Sequence, residues 1–220
     1  GKVSASYEGM AVQPTATMDF AFGLERKIKG MHLAAGFGLS ESIVILRERQ
    51  HDLNATDTDR RTPLMWAVLR EQHAAVELLL ELGADPESSD RHGWTPLLFA
   101  VGTDRMASLA LLVRNGAKVD CSDQHGQTAL LWAVTNRNEA AVKLLLDNDA
   151  DIESKDQYGQ SPLYIALTCN NLSIIWLLLD GGASTESRNK NGQTPLSWAA
   201  GKGKDFTFGV EAKRLNEKIQ

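Results

Sequence analysis

Thr62-Pro63-Leu64-Met65-Trp66-Ala67-Val68 returns along this chain at one fixed interval. The later copies are Thr95-Pro96-Leu97-Leu98-Phe99-Ala100-Val101, Thr128-Ala129-Leu130-Leu131-Trp132-Ala133-Val134, Ser161-Pro162-Leu163-Tyr164-Ile165-Ala166-Leu167 and Thr194-Pro195-Leu196-Ser197-Trp198-Ala199-Ala200. Starting positions 62, 95, 128, 161 and 194 are evenly spaced. A fixed period of this length means one supersecondary unit stacked on itself, which makes a solenoid rather than a globule. A solenoid offers a long surface instead of a closed pocket, and long surfaces bind other macromolecules.

The unit from Thr62 to Trp94 reads as two short helices and a turn. Thr62 is a good N-cap, and Pro63 suits the first helical position, where no N–H is required. Leu64, Ala67 and Val68 form a short apolar face, and small Ala67 allows a neighbouring helix to approach. After a break near Glu71 and Gln72, a second helix carries Val76, Leu79, Leu80 and Leu82 as an apolar stripe, with Glu77 and Glu81 opposite. Gly83 ends that helix as a left-handed residue. Asp90 and Gly93 mark the turn. The turn acid recurs at Asp57, Asp123 and Asp156, with Asn189 replacing it once, and the turn glycine recurs at Gly126, Gly159 and Gly192.

The pattern Asp-x-x-Gly-x-Thr-Pro-Leu-x-x-Ala, followed by x-Leu-Leu-Leu-x-x-Gly-Ala-Asp, resembles the ankyrin repeat. The resemblance implies an all-α repeat solenoid of helix-turn-helix units with hairpin-like fingers projecting at right angles. It also implies protein recognition through a concave face, without catalysis. Repeats start near 29, 62, 95, 128, 161 and 194, six in all with the first and last as caps, which places the repeat domain at 28–220. Arg47, Glu48, Arg49 and Gln50 make the second helix of the first unit polar, as a cap facing water requires. Phe208, Ala212, Leu215 and Ile219 suggest a capping helix at the other end. Residues 1–27 lack periodicity and are expected to be a flexible lead-in, with a short helix from Asp19 to Ile28.

Several family positions are violated. The fourth residue of the phrase, usually His, is Met65, Leu98, Leu131, Tyr164 and Ser197, and only the first unit keeps it, as His32. Its polar link to the backbone is expected to give way to apolar packing. The glycine between the helices becomes Glu71, Asp104, Arg137 and Asn170, and the helix-ending glycine becomes Asp149. All but Asn are strained there if the left-handed geometry is kept.

Composition narrows the function classes. The chain has 220 residues, 43% hydrophobic and 23% charged, with a formal charge of −5 that argues against nucleic acid as partner. No apolar run approaches the ~20 residues of a membrane span. Cys121 and Cys169 are too few for a disulfide framework or a zinc site, and fit reduced thiols in an intracellular compartment, cytoplasmic or nuclear. The five histidines show no metal-ligand spacing, Gly201-Lys202-Gly203-Lys204 lacks the phosphate-loop pattern, and no catalytic set converges. Neither enzymatic activity nor a cofactor is expected.

Candidate partner-binding residues lie on the fingers and first helices: Trp66, Arg70, Arg91, His92, Trp94, Phe99, His125, Trp132 and Tyr158. Trp94 and Tyr158 are large aromatics at turn tips, and such residues, with Arg, anchor interfaces. The competing reading lays Trp94 flat on the next repeat. Trp66, Phe99, Trp132, Ile165 and Trp198 share one repeat position and form either an apolar floor for a peptide or packing between first helices. Either way they are expected to be partly buried. Arg91, His92 and His125 favour an acidic or aromatic partner segment. The leading reading is a scaffold or adaptor, expected to be monomeric. The alternatives are a recognition module of a larger enzyme or receptor, and a structural self-associating array, against which the polar caps argue.

Overall fold

The computed structural model describes residues 29–195 together with Ser197 and Trp198. The expected lead-in, the short helix before Ile28 and the C-terminal capping helix lie outside the described residues. Within the described residues ten helices follow in five pairs: α1 Gly30–Gly36 and α2 Ser40–Glu48, α3 Pro63–Leu69 and α4 His73–Glu81, α5 Pro96–Gly102 and α6 Met106–Arg114, α7 Ala129–Thr135 and α8 Glu139–Leu146, α9 Pro162–Thr168 and α10 Leu172–Asp180. No named strand occurs among the described residues, only an isolated antiparallel bridge between Ser122 and Thr128.

The phrase works as its chemistry demands. Thr62, Thr95, Thr128 and Ser161 accept, through their hydroxyls, the backbone N–H three residues on. Each such cap stabilises its helix by about 1 kcal/mol. These first helices last only seven residues, too short to hold alone, so tertiary packing must hold them. The packing is a repeat-by-repeat column. Leu64, Leu97, Leu130 and Leu163 are buried, as are Ala67, Ala100, Ala133 and Ala166 beside them. From the second helices, Val76, Leu109, Val142 and Ile175 join them with Leu79, Leu112, Leu145 and Leu178. Each buried Leu contributes about 2 kcal/mol from apolar burial.

Between paired helices the chain turns through the left-handed region, at Gly38 in the first pair and without glycine in the four that follow. Glu71, Asp104, Arg137 and Asn170 have φ of +56°, +59°, +57° and +51°. Three of these side chains also bond to a neighbouring repeat. Glu71 pairs with Arg105, Asp104 Oδ1 accepts from Asn138 Nδ2 at 2.6 Å, and Arg137 Nη2 donates to the Cys169 carbonyl at 2.6 Å.

The fourth residue of the phrase resolves differently from repeat to repeat. His32 is fully buried, its Nδ1 accepting from Lys29 N at 3.3 Å and its Nε2 paired with the Arg61 carbonyl at 3.0 Å. Leu98 and Leu131 replace this link by apolar burial, as the sequence suggests. Met65, Tyr164 and Ser197 depart from that expectation. Met65 Sδ and Ser197 Oγ accept their own cap N–H, and the Tyr164 hydroxyl reaches Gln193 Oε1 of the next repeat at 3.2 Å.

The polar first cap is only half right. Arg47, Glu48, Arg49 and Gln50 are exposed, but so are Leu33, Leu39, Val44 and Ile45 of the same unit. Among the described residues the outer side of the first repeat is therefore apolar in part.

Candidate functional site

The fingers are built by one buried acceptor each. Asp57 Oδ1 accepts from Asp59 N and Arg61 N at 2.8 and 2.9 Å. Asp90 holds His92 N and Trp94 N in the same way. Asp123 holds His125 N and Gln127 N, and Asp156 holds Tyr158 N and Gln160 N. Asn189 does the same for Asn191 N and Gln193 N through its amide oxygen. All five residues are buried, because their job is internal.

The tips are then zipped together. Arg91 N donates to the Asp59 carbonyl at 3.0 Å, Gln124 N to His92 at 3.2 Å, Gln157 N to His125 at 3.0 Å and Lys190 N to Tyr158 at 3.0 Å. Four bonds joining five fingers make one rigid rim. A second ladder runs beyond the ends of the second helices. Asn54, Glu87, Asp120 and Glu153 each sit one repeat after the last. They accept from the backbone N–H groups of Asp85, Lys118, Asp151 and Ser184 in the following repeat. This ladder escapes the sequence expectations, although the four residues share the repeat period and all carry a side-chain oxygen.

The rim exposes basic side chains among neutral polar ones. Arg91 is exposed, donates from Nε to His92 Nε2 at 3.1 Å, and its guanidinium lies 3.1 Å from the Asp59 carboxylate. Asp59 is buried, and the pair cancels the Asp59 and Arg91 charges against each other. Arg60, not singled out from the sequence, is exposed with φ +63°. Its signal was its place in the first finger, one full repeat before the turn glycine Gly93. His125 is half-buried and beside Gln124, Lys190 is exposed, and Tyr158 is 52% exposed at its tip. Arg70 is half-buried at the end of α3, its stem near Gly36.

Trp94 corrects the expectation of a protruding anchor, since it is buried. Its ring lies 5.2 Å from Phe99 and 5.0 Å, edge-on, from Trp132. It covers Gly102 so closely that an added Cβ would come within 2.5 Å of the indole. A flat indole fills the junction between two repeats, the competing reading of the sequence, and the favourable edge contact with Trp132 holds it there. The aromatic series is also corrected in part. Trp66, Trp132 and Trp198 are half-buried as expected, but Phe99 and Ile165 are buried.

Beneath the middle fingers, Arg61 sits 5.5 Å over the Phe99 ring, a cation–π contact. Arg61, Phe99, Trp94 and Trp132 thus form a continuous floor. Trp66 donates from its indole to Asp57 Oδ2 at 3.1 Å, whereas Trp132 Nε1 is buried without a partner among the described residues. Trp66 also meets the His32 ring at 6.0 Å.

Three groups have shifted acidity, among them the Tyr164 hydroxyl, which burial pushes up. Burial lowers the pKa of His32, against smaller opposing effects of the Arg61 carbonyl and the Asp57 charge. Burial likewise pushes the Cys121 thiol up to about 11, with a hydrogen bond from Thr95 working the other way. Cys121 is therefore a packed thiol rather than a nucleophile.

A stack of capped helix pairs with a zipped rim of fingers defines a repeat solenoid of the recognition class. The family model described as ankyrin repeats (3 copies) matches in overlapping segments at residues 31–123, 75–156, 103–189 and 149–212. The chain belongs to the ankyrin repeat family. Among solved structures it is similar to the ankyrin repeat domain of Bcl-3, described as a unique member of the IkappaB protein family. That match has 31% identity and a TM-score of 0.76, covering 80% of this chain and 82% of that one. It is also similar to an ankyrin repeat domain from Acinetobacter baumannii AYE, with 26% identity and a TM-score of 0.73, covering 79% and 91%. No curated protein matches the chain. Ankyrin repeats generally mediate protein–protein interaction, and the fold is typically a non-catalytic module. No helix among the described residues is long and apolar enough to cross a membrane.

Proposed function

We propose that this chain is a protein-binding scaffold or adaptor domain, spanning residues 28–220, that grips an extended acidic segment carrying an aromatic side chain. The observation that carries this reading is the rim. Its backbone is zipped finger to finger, and it presents Arg60, Arg91, His92, Lys190 and the half-exposed ring of Tyr158. A rim already rigid loses little conformational entropy on binding, so its side-chain contacts convert more fully into affinity. The charges of Arg60 and Lys190 speed encounter with an acidic segment and orient it. Tyr158 then supplies the apolar contact, and the Arg61–Phe99–Trp94–Trp132 floor sits as rigid support beneath. Thiols at Cys121 and Cys169 support a reducing, intracellular setting.

The test is peptide selection from a random display library on the purified domain, followed by calorimetry with the enriched peptides. Enrichment of acidic sequences with a Trp, Tyr or Phe is expected. Tyr158→Ala should weaken binding at least tenfold while circular dichroism stays unchanged, because the side chain is exposed and its backbone bonds remain. Enrichment of basic peptides, or full affinity in Tyr158→Ala, overturns the reading.

A further inference from the structure

We propose that the fifth finger, residues 188–192, binds the acidic part of the partner segment through Lys155, Arg188 and Lys190. The partner then carries its acids directly beside the aromatic residue that meets Tyr158. This deepens the reading of the rim as the seat of an acidic, aromatic segment and rests on it. Repeat register shows positive charge collecting at this end. Lys155 and Arg188 hold the position just before the turn acceptor, where the earlier fingers have Thr56, Ser89 and Ser122. At the acceptor position itself negative charge is lost. Asp57, Asp90, Asp123 and Asp156 each put a carboxylate inside their finger, whereas Asn189 puts a neutral amide in the fifth. That finger therefore carries Arg188 and Lys190 with no acid of its own, on a chain of formal charge −5.

The three cations are placed together and left uncompensated. Lys155 Nζ donates to the Arg188 carbonyl at 3.1 Å, and Arg188 Nη1 donates to the Gly192 carbonyl at 2.9 Å. Both groups are thus fixed on the fifth finger by neutral acceptors. All three residues are exposed, and none forms an ion pair among the described residues, whereas Arg91, Arg105 and Arg114 are each held by a carboxylate. Of the nearby acids, Asp151 and Glu153 accept from the backbone N–H groups of Glu153 and Ser184. Glu186 is exposed two residues before Arg188 and pairs with none of the three among the described residues. Ammonium and guanidinium groups have donors to spare beyond one carbonyl bond, and carboxylates make the strong charge-assisted kind. Lys190 N donates to the Tyr158 carbonyl at 3.0 Å, which sets this cluster beside the half-exposed ring. Groups on two hydrogen-bonded backbones end within about 10 Å of each other, which an extended segment covers in about three residues at ~3.3 Å each.

The test is selection on the full chain from a peptide display library with a central Trp and either Glu or Ser at every other position. Glu should be enriched within about three residues of the Trp. The triple variant Lys155→Gln/Arg188→Gln/Lys190→Gln should abolish that enrichment and weaken the best peptide at least tenfold by calorimetry. Arg47→Gln/Lys118→Gln/Lys143→Gln removes the same charge from exposed sites elsewhere and should cost less than threefold. Lys190→Gln alone should cost about threefold, and its side chain makes no hydrogen bond among the described residues, so this variant keeps the fold if the triple does not. Equal losses in the two triple variants, full affinity in Lys190→Gln, or Glu enriched only far from the Trp overturns the proposal and leaves the rim reading standing. No preference for Glu at any position overturns both. Oligouridylate or phosphatidylserine vesicles bound more tightly than the best peptide, and released by the fifth-finger triple, would assign the cluster to a nucleic acid or a lipid surface and overturn it too.

Discussion

Asp149 occupies a position that its own repeat neighbours give to glycine, and replacing it with glycine should stabilise the domain. The residue lies just past α8 at φ +63°, and Gly83, Gly116 and Gly182 hold the equivalent place at +88°, +82° and +89°. A side chain in this region costs about 1 kcal/mol. A carboxylate next to a helix C-terminus adds about 0.3 kcal/mol of repulsion. Against these, glycine costs about 0.5–1 kcal/mol in unfolded-chain entropy. The balance is a gain of about 0.5 kcal/mol for Asp149→Gly. Asp149 is exposed, and its carboxylate makes no hydrogen bond among the described residues, so nothing else is lost. With a urea slope of about 2.5 kcal/mol/M, the midpoint should rise by about 0.2 M at unchanged slope. Arg137→Gly is the matched control. Its φ is +57°, but its guanidinium holds the Cys169 carbonyl across the repeat junction, so the gain should vanish there. A lower midpoint for Asp149→Gly would refute the strain argument.

Trp94→Ala should cost about 3–5 kcal/mol of stability, because it empties the junction filled against Phe99, Trp132 and Gly102; a midpoint within error of the parent chain would show that the indole is dispensable. Acidification should destabilise the first repeat through His32. Its folded pKa lies below the ordinary 6.5, so the unfolded chain takes up a proton that the folded chain refuses. This contribution is fully present above pH 6.5 and is lost as pH falls toward the folded value. His32→Leu should lower stability at pH 7 by about 1–2 kcal/mol, through the lost bond to the Arg61 carbonyl. It should also flatten the slope of midpoint against pH between 7 and 5, and an unchanged slope in that variant would rule the group out.

The left-handed turns at Glu71, Asp104 and Arg137 were legible because the ankyrin pattern places glycine there, and that at Asp149 because Gly83, Gly116 and Gly182 hold its position in other repeats; their φ values match. The fingers were legible for the same reason, each needing one acceptor and one tight turn at fixed spacing. Trp94 was not. Its tip position suggested exposure, but its environment comes from Gly102 at the end of the helix that follows, and from Trp132, one repeat further along. The bonds of Asn54, Glu87, Asp120 and Glu153 were missed because a polar side chain whose partner lies in the next repeat reads as an ordinary solvated group.

The sequence by itself determined the unit, its period and the order in which helices and turns follow, because caps, turn acids and apolar stripes act within a few residues of chain. Only the tertiary structure decided which aromatics face solvent and which fill junctions. It also decided which charges are cancelled, as those of Asp59 and Arg91 cancel each other. Those outcomes depend on what the neighbouring repeat places opposite a side chain, and contacts between units a full period apart are made only when the units stack.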